Sequence, residues 1–183
     1  KIREVTYKND SVEVNDLVKS LIKEAGCDSK ISLTEQDEFK ESIKYRVEAR
    51  GEVDKDGLLE LIVREANERT TANQPHYSSL SCKTYLRRLY RKMAKKRGYD
   101  FGHEYKDYPE LVLNLVEKGI YSKELTEAYS FNDLIEASTF LDKEKDKLFS
   151  YAGLFLLNKN YLAKDYDKSV VELPQERFLT VAL

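Results

Sequence analysis

The closing stretch, Leu148–Leu183, sets the tightest limits on how this chain can fold. It opens on the densest apolar run in the sequence, Leu148-Phe149-Ser150-Tyr151-Ala152-Gly153-Leu154-Phe155-Leu156-Leu157, bends at Asn158-Lys159-Asn160, and continues through a tyrosine-rich extended piece. Glu172-Leu173-Pro174-Gln175-Glu176-Arg177 then leads into Phe178-Leu179-Thr180-Val181-Ala182-Leu183. Pro174 suits the first turn of a helix, where its missing N–H costs nothing, and the apolar residues after it read as that helix's buried face. Helices usually finish on Gly, Asn or a basic last turn, so the apolar ending Val181-Ala182-Leu183 predicts a front portion of something longer.

Few glycines and prolines interrupt the chain: seven and three in 183 residues. That scarcity favours helices over turn-dense β structure. A chain of this length can bury on the order of 70% of its unfolded surface, as one domain or two small ones. Charge is high but balanced, with 31 basic and 33 acidic residues, which argues against wholesale attraction to nucleic acid or anionic lipid. No apolar run approaches the roughly 20 residues needed to span a bilayer, and Lys1-Ile2-Arg3-Glu4 does not read as a signal peptide, so no membrane association is expected. With only Cys27 and Cys82, a disulfide framework is not expected and a reducing cytoplasm is the default compartment.

From the N-terminus, Ile2–Tyr7 reads as a strand, Lys8-Asn9-Asp10-Ser11 as a turn and Val12–Val14 as a second strand, together a small β-hairpin. A helix capped by Asn15 or Asp16 runs to about Ala25 and ends at Gly26. Thr34 with Asp37 reads as a capping box for a helix burying Phe39, Ile43 and Val47 and closed by Gly51. Asp54 or Asp56 caps the next, with Leu58, Leu59, Leu61, Ile62 and Ala66 inward, and a loop at residues 70–76 precedes a long helix from Tyr77 to about Arg97. Gly98-Tyr99-Asp100-Phe101-Gly102 is the expected domain boundary. Beyond it Pro109 opens a helix with Leu111, Val112, Leu115 and Val116 inward and Gly119 as its stop. Ser122 and Ser130 each cap a shorter helix, the second reaching about Phe140.

Chemistry-bearing motifs are sparse. His76 and His103 fall in expected loops, at no metal-ligand spacing, and no Walker loop, nucleophile elbow or dinucleotide fingerprint is present. No acidic pair stands out as an acid/base couple, and most acids read as solvated faces. The strongest local signal is the basic run Arg87–Arg97, in which helical spacing brings Arg88, Arg91, Lys92 and Lys95 onto neighbouring turns. Such a set can converge on phosphate, with Tyr85, Tyr90 and Tyr99 to stack a base, or can answer the negative end of its own helix. The first option leaves open a stand-alone helical nucleic-acid-binding protein.

Taken in order, Asp107-Tyr108-Pro109-Glu110-Leu111, Glu117-Lys118-Gly119-Ile120-Tyr121, Tyr129-Ser130, Thr139–Asp146, Leu148–Gly153, Tyr161-Leu162 and Glu172–Phe178 resemble the N-terminal region of the large subunit of class I ribonucleotide reductases. Residues 1–97 are similar, more faintly, to the ATP-cone that begins many of these subunits. The resemblance implies a mostly α chain: an ATP-cone-like domain of a small β-hairpin and four helices over residues 1–98, then a helical segment over residues 99–183 leading into a catalytic barrel. It also implies ATP or dATP as allosteric effector. For the effector it singles out Lys8, Glu13 and Lys19, with Arg88, Arg91 and Lys92 from the last helix of the cone.

The cone's nucleotide motif is eroded. Where the family pattern has Val-Thr-Lys-Arg-Asp-Gly, this chain has Val5-Thr6-Tyr7-Lys8-Asn9-Asp10; Leu59 stands where a histidine is expected and Lys55 where a threonine is. The family's chemistry, thioredoxin- or glutaredoxin-dependent reduction of a ribonucleoside diphosphate, needs three cysteines in one site. Cys27 and Cys82 match none of those positions, so no catalytic residue and no metal ligand is expected here. Implied partners are the barrel that forms the rest of the large subunit, a second large subunit, and the metal-containing small subunit.

Overall fold

A computed structural model describes residues 6–7 and 12–183. Helices dominate it, and the chain divides into two compact units, residues 1–88 and 89–183. The division falls at Arg88/Leu89, inside the long basic helix, where the sequence reading places it near Gly98.

In the first unit a two-residue strand β1 (Thr6–Tyr7) pairs antiparallel with β2 (Val53–Asp54), in the register Thr6 with Asp54 and Tyr7 with Val53. The expected hairpin is corrected by this pairing. Its second strand, Val12–Val14, is the opening turn of α1 (Val12–Glu24), because Val14, Leu17, Val18, Leu21 and Ile22 fall at helical spacing and all pack into the core. The remaining hairpin positions, residues 2–5 and 8–11, lie outside the described residues.

Helix α2 (Leu33–Arg50) is capped two residues before the expected cap. Ser32 Oγ accepts from Glu35 N at 3.3 Å while the Glu35 carboxylate accepts from Ser32 N at 2.9 Å, a reciprocal box that Thr34 with the shorter Asp37 does not form. Gly51, at φ +85°, ends α2 as expected. Asp54 caps α3 (Lys55–Arg69) through a 2.7 Å bond from Gly57 N. The loop at 70–75 leads into α4 (His76–Arg97), whose first residue is His76; that histidine is therefore helical rather than in a loop. Phe39, Ile43 and Val47 from α2, Leu58, Leu59 and Ile62 from α3, and Tyr77 and Leu80 from α4 close one core with α1, and Phe39 stacks on Tyr77 at 5.9 Å. Burying these side chains stabilises the unit by roughly 25 cal/mol per Å² of apolar surface removed from water.

The second unit takes the last turns of α4 and adds α5 (Tyr108–Glu117), α6 (Glu124–Ala128), α7 (Phe131–Ser138), α8 (Tyr151–Leu156) and α9 (Pro174–Ala182). A 3₁₀ turn occupies Lys143–Leu148 and a π turn Leu157–Tyr161. Leu111, Val112, Leu115 and Val116 of α5 are buried as their spacing predicts, around Tyr108, Tyr121, Leu134 and Val171. Ser130 caps α7 in a box with Asp133. The cap position of α6 is Lys123, one residue after the expected Ser122, whose Oγ accepts from Glu124 N at 3.3 Å.

The closing stretch departs most from its reading. Within Leu148–Leu157 only Leu154 is buried; Leu148 is 86% exposed and Leu156 51%. Helix α9 begins at Pro174 as expected, but its buried positions are Pro174, Glu176 and Thr180, while Phe178 and Val181 face outward. The physical reason is that Glu176 and Thr180 find buried hydrogen-bond partners, so the polar side turns inward. No helix among the described residues is long and apolar enough to cross a membrane.

Candidate functional site

In the first unit, the residues implied for effector binding are only partly available. Glu13 and Lys19 are exposed on α1, and Lys8 lies outside the described residues. Arg88 is committed elsewhere: its guanidinium donates to both oxygens of Asp56 at 2.9 Å and to Glu60 at 2.8 Å. Burial works against its charge, but the bonds to Asp56 and the nearby carboxylates outweigh that and raise its pKa. A bidentate carboxylate partner occupies the same fork that would grip a phosphate. Leu59 is fully buried among apolar neighbours and offers no polar contact in place of the family's histidine, and Lys55 is the first residue of α3. Arg87 meets Glu24 at 2.7 Å. Lower in the same unit, Arg46 and Arg69 hold the buried Glu65 from two sides at 2.8 and 2.7 Å, and Arg69 lies 5.4 Å above the Phe39 ring.

Arg91 and Lys92 belong to the second unit, the first half-buried and the second exposed. Further along α4, Arg97 turns inward, its side chain 9% exposed. It donates to Glu176 through two nitrogens at 2.8 Å each and, through Nε, to Asp107 at 2.8 Å. Burial alone would lower its pKa, yet hydrogen bonds and charge from Glu176 and Asp107 raise it, so it stays a cation. Glu176 is fully buried and also accepts from Leu173 N at 2.6 Å, which caps α9.

A second buried carboxylate, Asp146, gathers donors from three places. Tyr105 donates at 2.6 Å, Gln175 at 2.7 Å, and Tyr90 through a short bond. Burial pushes the Asp146 pKa up, and these donors and Lys143 pull against it. Glu172, also fully buried, accepts from Tyr121 and from Ala163 N; burial raises its pKa too. Lys143 pairs with the buried Glu104 at 2.7 Å and lies 4.9 Å from the Tyr90 ring centroid.

This network of buried acids is the feature that the sequence reading missed, since it treated acids as solvated faces. Glu176 carried one usable signal: it stands three residues after Leu173, where a carboxylate reaches back to cap a helix that starts on proline. Nothing local marks Asp146 or Glu172, whose side-chain hydroxyl donors come from tens of residues away.

The network also bears on the nucleic-acid alternative. Arg87, Arg88, Lys96 and Arg97 of the basic run are paired with acids, Lys96 lying 3.7 Å from both Asp165 and Asp167. Cations already neutralised release few counterions on meeting a phosphate backbone. Cys27 and Cys82 are both buried thiols with no disulfide. The Cys27 thiol donates to His76 O at 3.3 Å, and burial raises its pKa, so it is an inert core thiol rather than a poised nucleophile.

No family model matches the chain. Among individual proteins, it is 26% identical over 179 residues to ribonucleoside-diphosphate reductase subunit alpha of Helicobacter pylori, a match covering 98% of this chain and 21% of that protein. The Treponema pallidum subunit alpha is 27% identical over 125 residues, 68% of this chain and 14% of the relative. That of Synechocystis is 30% identical over 118 residues, 64% and 14%. The chain thus spans about a fifth or less of the length of the curated relatives it matches. The similarity expected from the ordered motifs over Tyr105–Phe178 is therefore present, in the mostly α setting that the resemblance implies.

Proposed function

We propose that this chain forms the N-terminal structural and regulatory part of a ribonucleoside-diphosphate reductase subunit alpha, an oxidoreductase of deoxyribonucleotide synthesis. The observation that carries this reading is the continuous similarity over 98% of the chain to a fifth of a relative of that name. A second support is physical. The second unit buries charge in satisfied networks and leaves Leu148, Phe155, Leu156, Phe178 and Val181 outside, an apolar surface of the kind that marks an interaction face. A catalytic barrel downstream would cover that face, and the larger assembly would include a second subunit alpha and a metal-containing small subunit. Neither thiol is read as a reacting group, since both are buried and neither lies near the other in sequence.

The first unit is read as an eroded ATP-cone. Its helices keep a packed core, while Leu59 is apolar where a polar contact is expected and Arg88 is held by Asp56 and Glu60. ATP or dATP would regulate assembly only through different affinities for two assembly states, so weakened contacts weaken the control in proportion. Isothermal titration of the reductase carrying this segment with ATP and with dATP tests the regulatory half. Heat of binding that disappears in a Lys19→Gln variant supports it; heat no greater than dilution for both nucleotides leaves the first unit as a packing module alone.

A further inference from the structure

Helices α5, α6 and α7 leave an outer surface that the core of the second unit does not use. On α5, Glu110, Leu113, Asn114 and Glu117 fall at i, i+3, i+4 and i+7, which is one helix face, and all four are exposed. On α7, Leu134 and Ala137 turn to the core. Phe131 and Ile135, four residues apart, form a separate stripe beside them and stay 42% and 45% exposed. Both α6 and α7 pack on α5, so these side chains belong to one set of helices.

The charge on this surface is one-sided. From Tyr108 to Ser138 the sequence holds six acids and two lysines. Lys118 is paired with Asp165 at 3.1 Å, and Asp133 accepts from Ser130 N and Oγ at the start of α7. The other five acids, Glu110, Glu117, Glu124, Glu127 and Glu136, are exposed, and their carboxylates meet no donor or cation among the described residues. Within that span only Lys123 is left to set against them. Like charges at this density repel one another, and a cationic partner relieves that repulsion. A merely solvated acidic face has no use for exposed apolar side chains, yet Phe131 and Ile135 share one stripe here and Leu113 adds a third on the neighbouring helix.

We propose that the outer face of α5, α6 and α7 docks a basic amphipathic helix of a partner protein. The apolar side of that helix lies on Phe131, Ile135 and Leu113, and its lysines or arginines meet Glu117, Glu136 and the two acids of α6. Packed helices leave a groove between their ridges that a further helix can enter, with apolar anchors at i, i+3 or i+4 and i+7. The eight residues of α7 extend about 12 Å, so anchors spread over about two turns of the partner cover the stripe. Polyanions are turned away by the same carboxylates, which selects a cationic occupant. The apolar residues assigned above to a downstream barrel sit on other elements, in Leu148–Leu157 and α9, so this inference goes beyond that reading and does not depend on it.

The 183-residue chain should be titrated with a leucine–lysine peptide patterned as an amphipathic helix of about four turns, following backbone amides by NMR. Saturable shifts along α5, α6 and α7 that weaken with added salt are expected. A peptide of the same composition with its leucines scattered round the helix should bind about tenfold more weakly, and a leucine–glutamate peptide should not bind. Glu117→Lys combined with Glu136→Lys, both exposed positions, should weaken binding about tenfold while leaving the core intact. Ile135→Ser should weaken it about fivefold, and Phe178→Ser, on α9, should change nothing. The inference is overturned by equal binding of the scattered peptide, by shifts centred on α8 and α9, by unchanged affinity in the charge variants, or by no saturable binding. Self-association of the chain through α5, α6 and α7 would also overturn it, giving the face to a second copy. So would stronger hydrogen-exchange protection of these helices in the longer polypeptide than in the 183-residue chain, which would give the face to the rest of the subunit and leave the family reading standing.

Discussion

The sharpest test of the second unit is to separate Arg97 from Glu176. Arg97→Met leaves the Glu176 carboxylate fully buried with only Leu173 N as a donor, since both of its guanidinium bonds are gone. Removing one member of a buried ion pair costs about 3–5 kcal/mol, most of it the charge left behind. Loss of the guanidinium above the Tyr99 ring, 5.2 Å from its centroid, adds about 0.5–1 kcal/mol. The pair as a whole is a different matter, because its attraction must first offset the desolvation of both ions. In the double variant Arg97→Met with Glu176→Met, therefore, most of the loss should return, leaving a deficit of about 1–2 kcal/mol for the missing α9 cap and the half-buried Asp107 left without Arg97. Hydrogen exchange of α5 and α9 amides reads the second unit without assuming that both units unfold together. A double variant less stable than Arg97→Met, or a single variant costing under about 1 kcal/mol, would refute the argument that a buried, mutually dependent pair organises this unit.

The first unit offers cheaper tests. Phe39→Ala should cost about 3–5 kcal/mol, seen in the thermal transition of far-UV circular dichroism, because Phe39 is fully buried and stacked on Tyr77. Ser32→Ala should cost about 1 kcal/mol, whereas Thr34→Ala, outside the capping box, should cost a few tenths; equal effects would move the cap back to Thr34. Hydrogen bonds from Ser32 and Ser130 hold the Glu35 and Asp133 carboxyls below their usual values, so the caps of α2 and α7 are complete above the ordinary carboxylate pKa and are lost as pH falls through the lowered one. Amide exchange at Ser32 and Ser130, whose N–H groups donate to those carboxylates, should accelerate on acidification relative to mid-helix amides. Asp146 and Glu172 carry the opposite sign: burial raises their pKa, so the stability tied to their protonated forms is present at low pH and falls as pH rises through the raised values. Asp146→Asn should flatten the pH dependence of second-unit stability in the range just above the ordinary aspartate pKa.

How far the fold was legible depends on how local its causes are. The long helix His76–Arg97, the inward face of α5, the Gly51 stop and the Pro174 start each rest on residues within one or two turns, and their sequence pattern was enough. The partner of β1 was not, because Val53–Asp54 lies two helices away and two residues of strand carry no alternation to read. Val12–Val14 misled for a related reason: two β-branched residues look extended until Leu17, Val18, Leu21 and Ile22 are seen to continue their face round a helix. The effector residues were readable only as types. Arg88 carries the charge a phosphate needs, but its availability depends on Asp56 and Glu60, some thirty residues back, which no spacing rule connects to it.

The same reasoning explains why the greasiest stretch of the sequence is among its least buried. An apolar run predicts burial only if no polar residue nearby has a stronger claim on the interior, and here three do. Glu176 is drawn in by Arg97, Thr180 by Tyr108 and Asp146 by Tyr90 and Tyr105, each leaving a partner unsatisfied if it turned outward. An orphaned buried donor costs roughly 1–3 kcal/mol and a charge more, while exposing one aliphatic side chain costs a comparable amount, about 1.5–3 kcal/mol, that another surface can still recover. Helix α9 therefore turns its polar side to the core and presents Phe178 and Val181 outward. If a further body of protein covers that face, Phe178→Ser should leave hydrogen exchange of the isolated chain within a factor of a few, yet lower the thermal stability of the longer polypeptide. Equal destabilisation in both settings would mean that the side chain packs within the second unit after all, and that nothing else is needed to cover it.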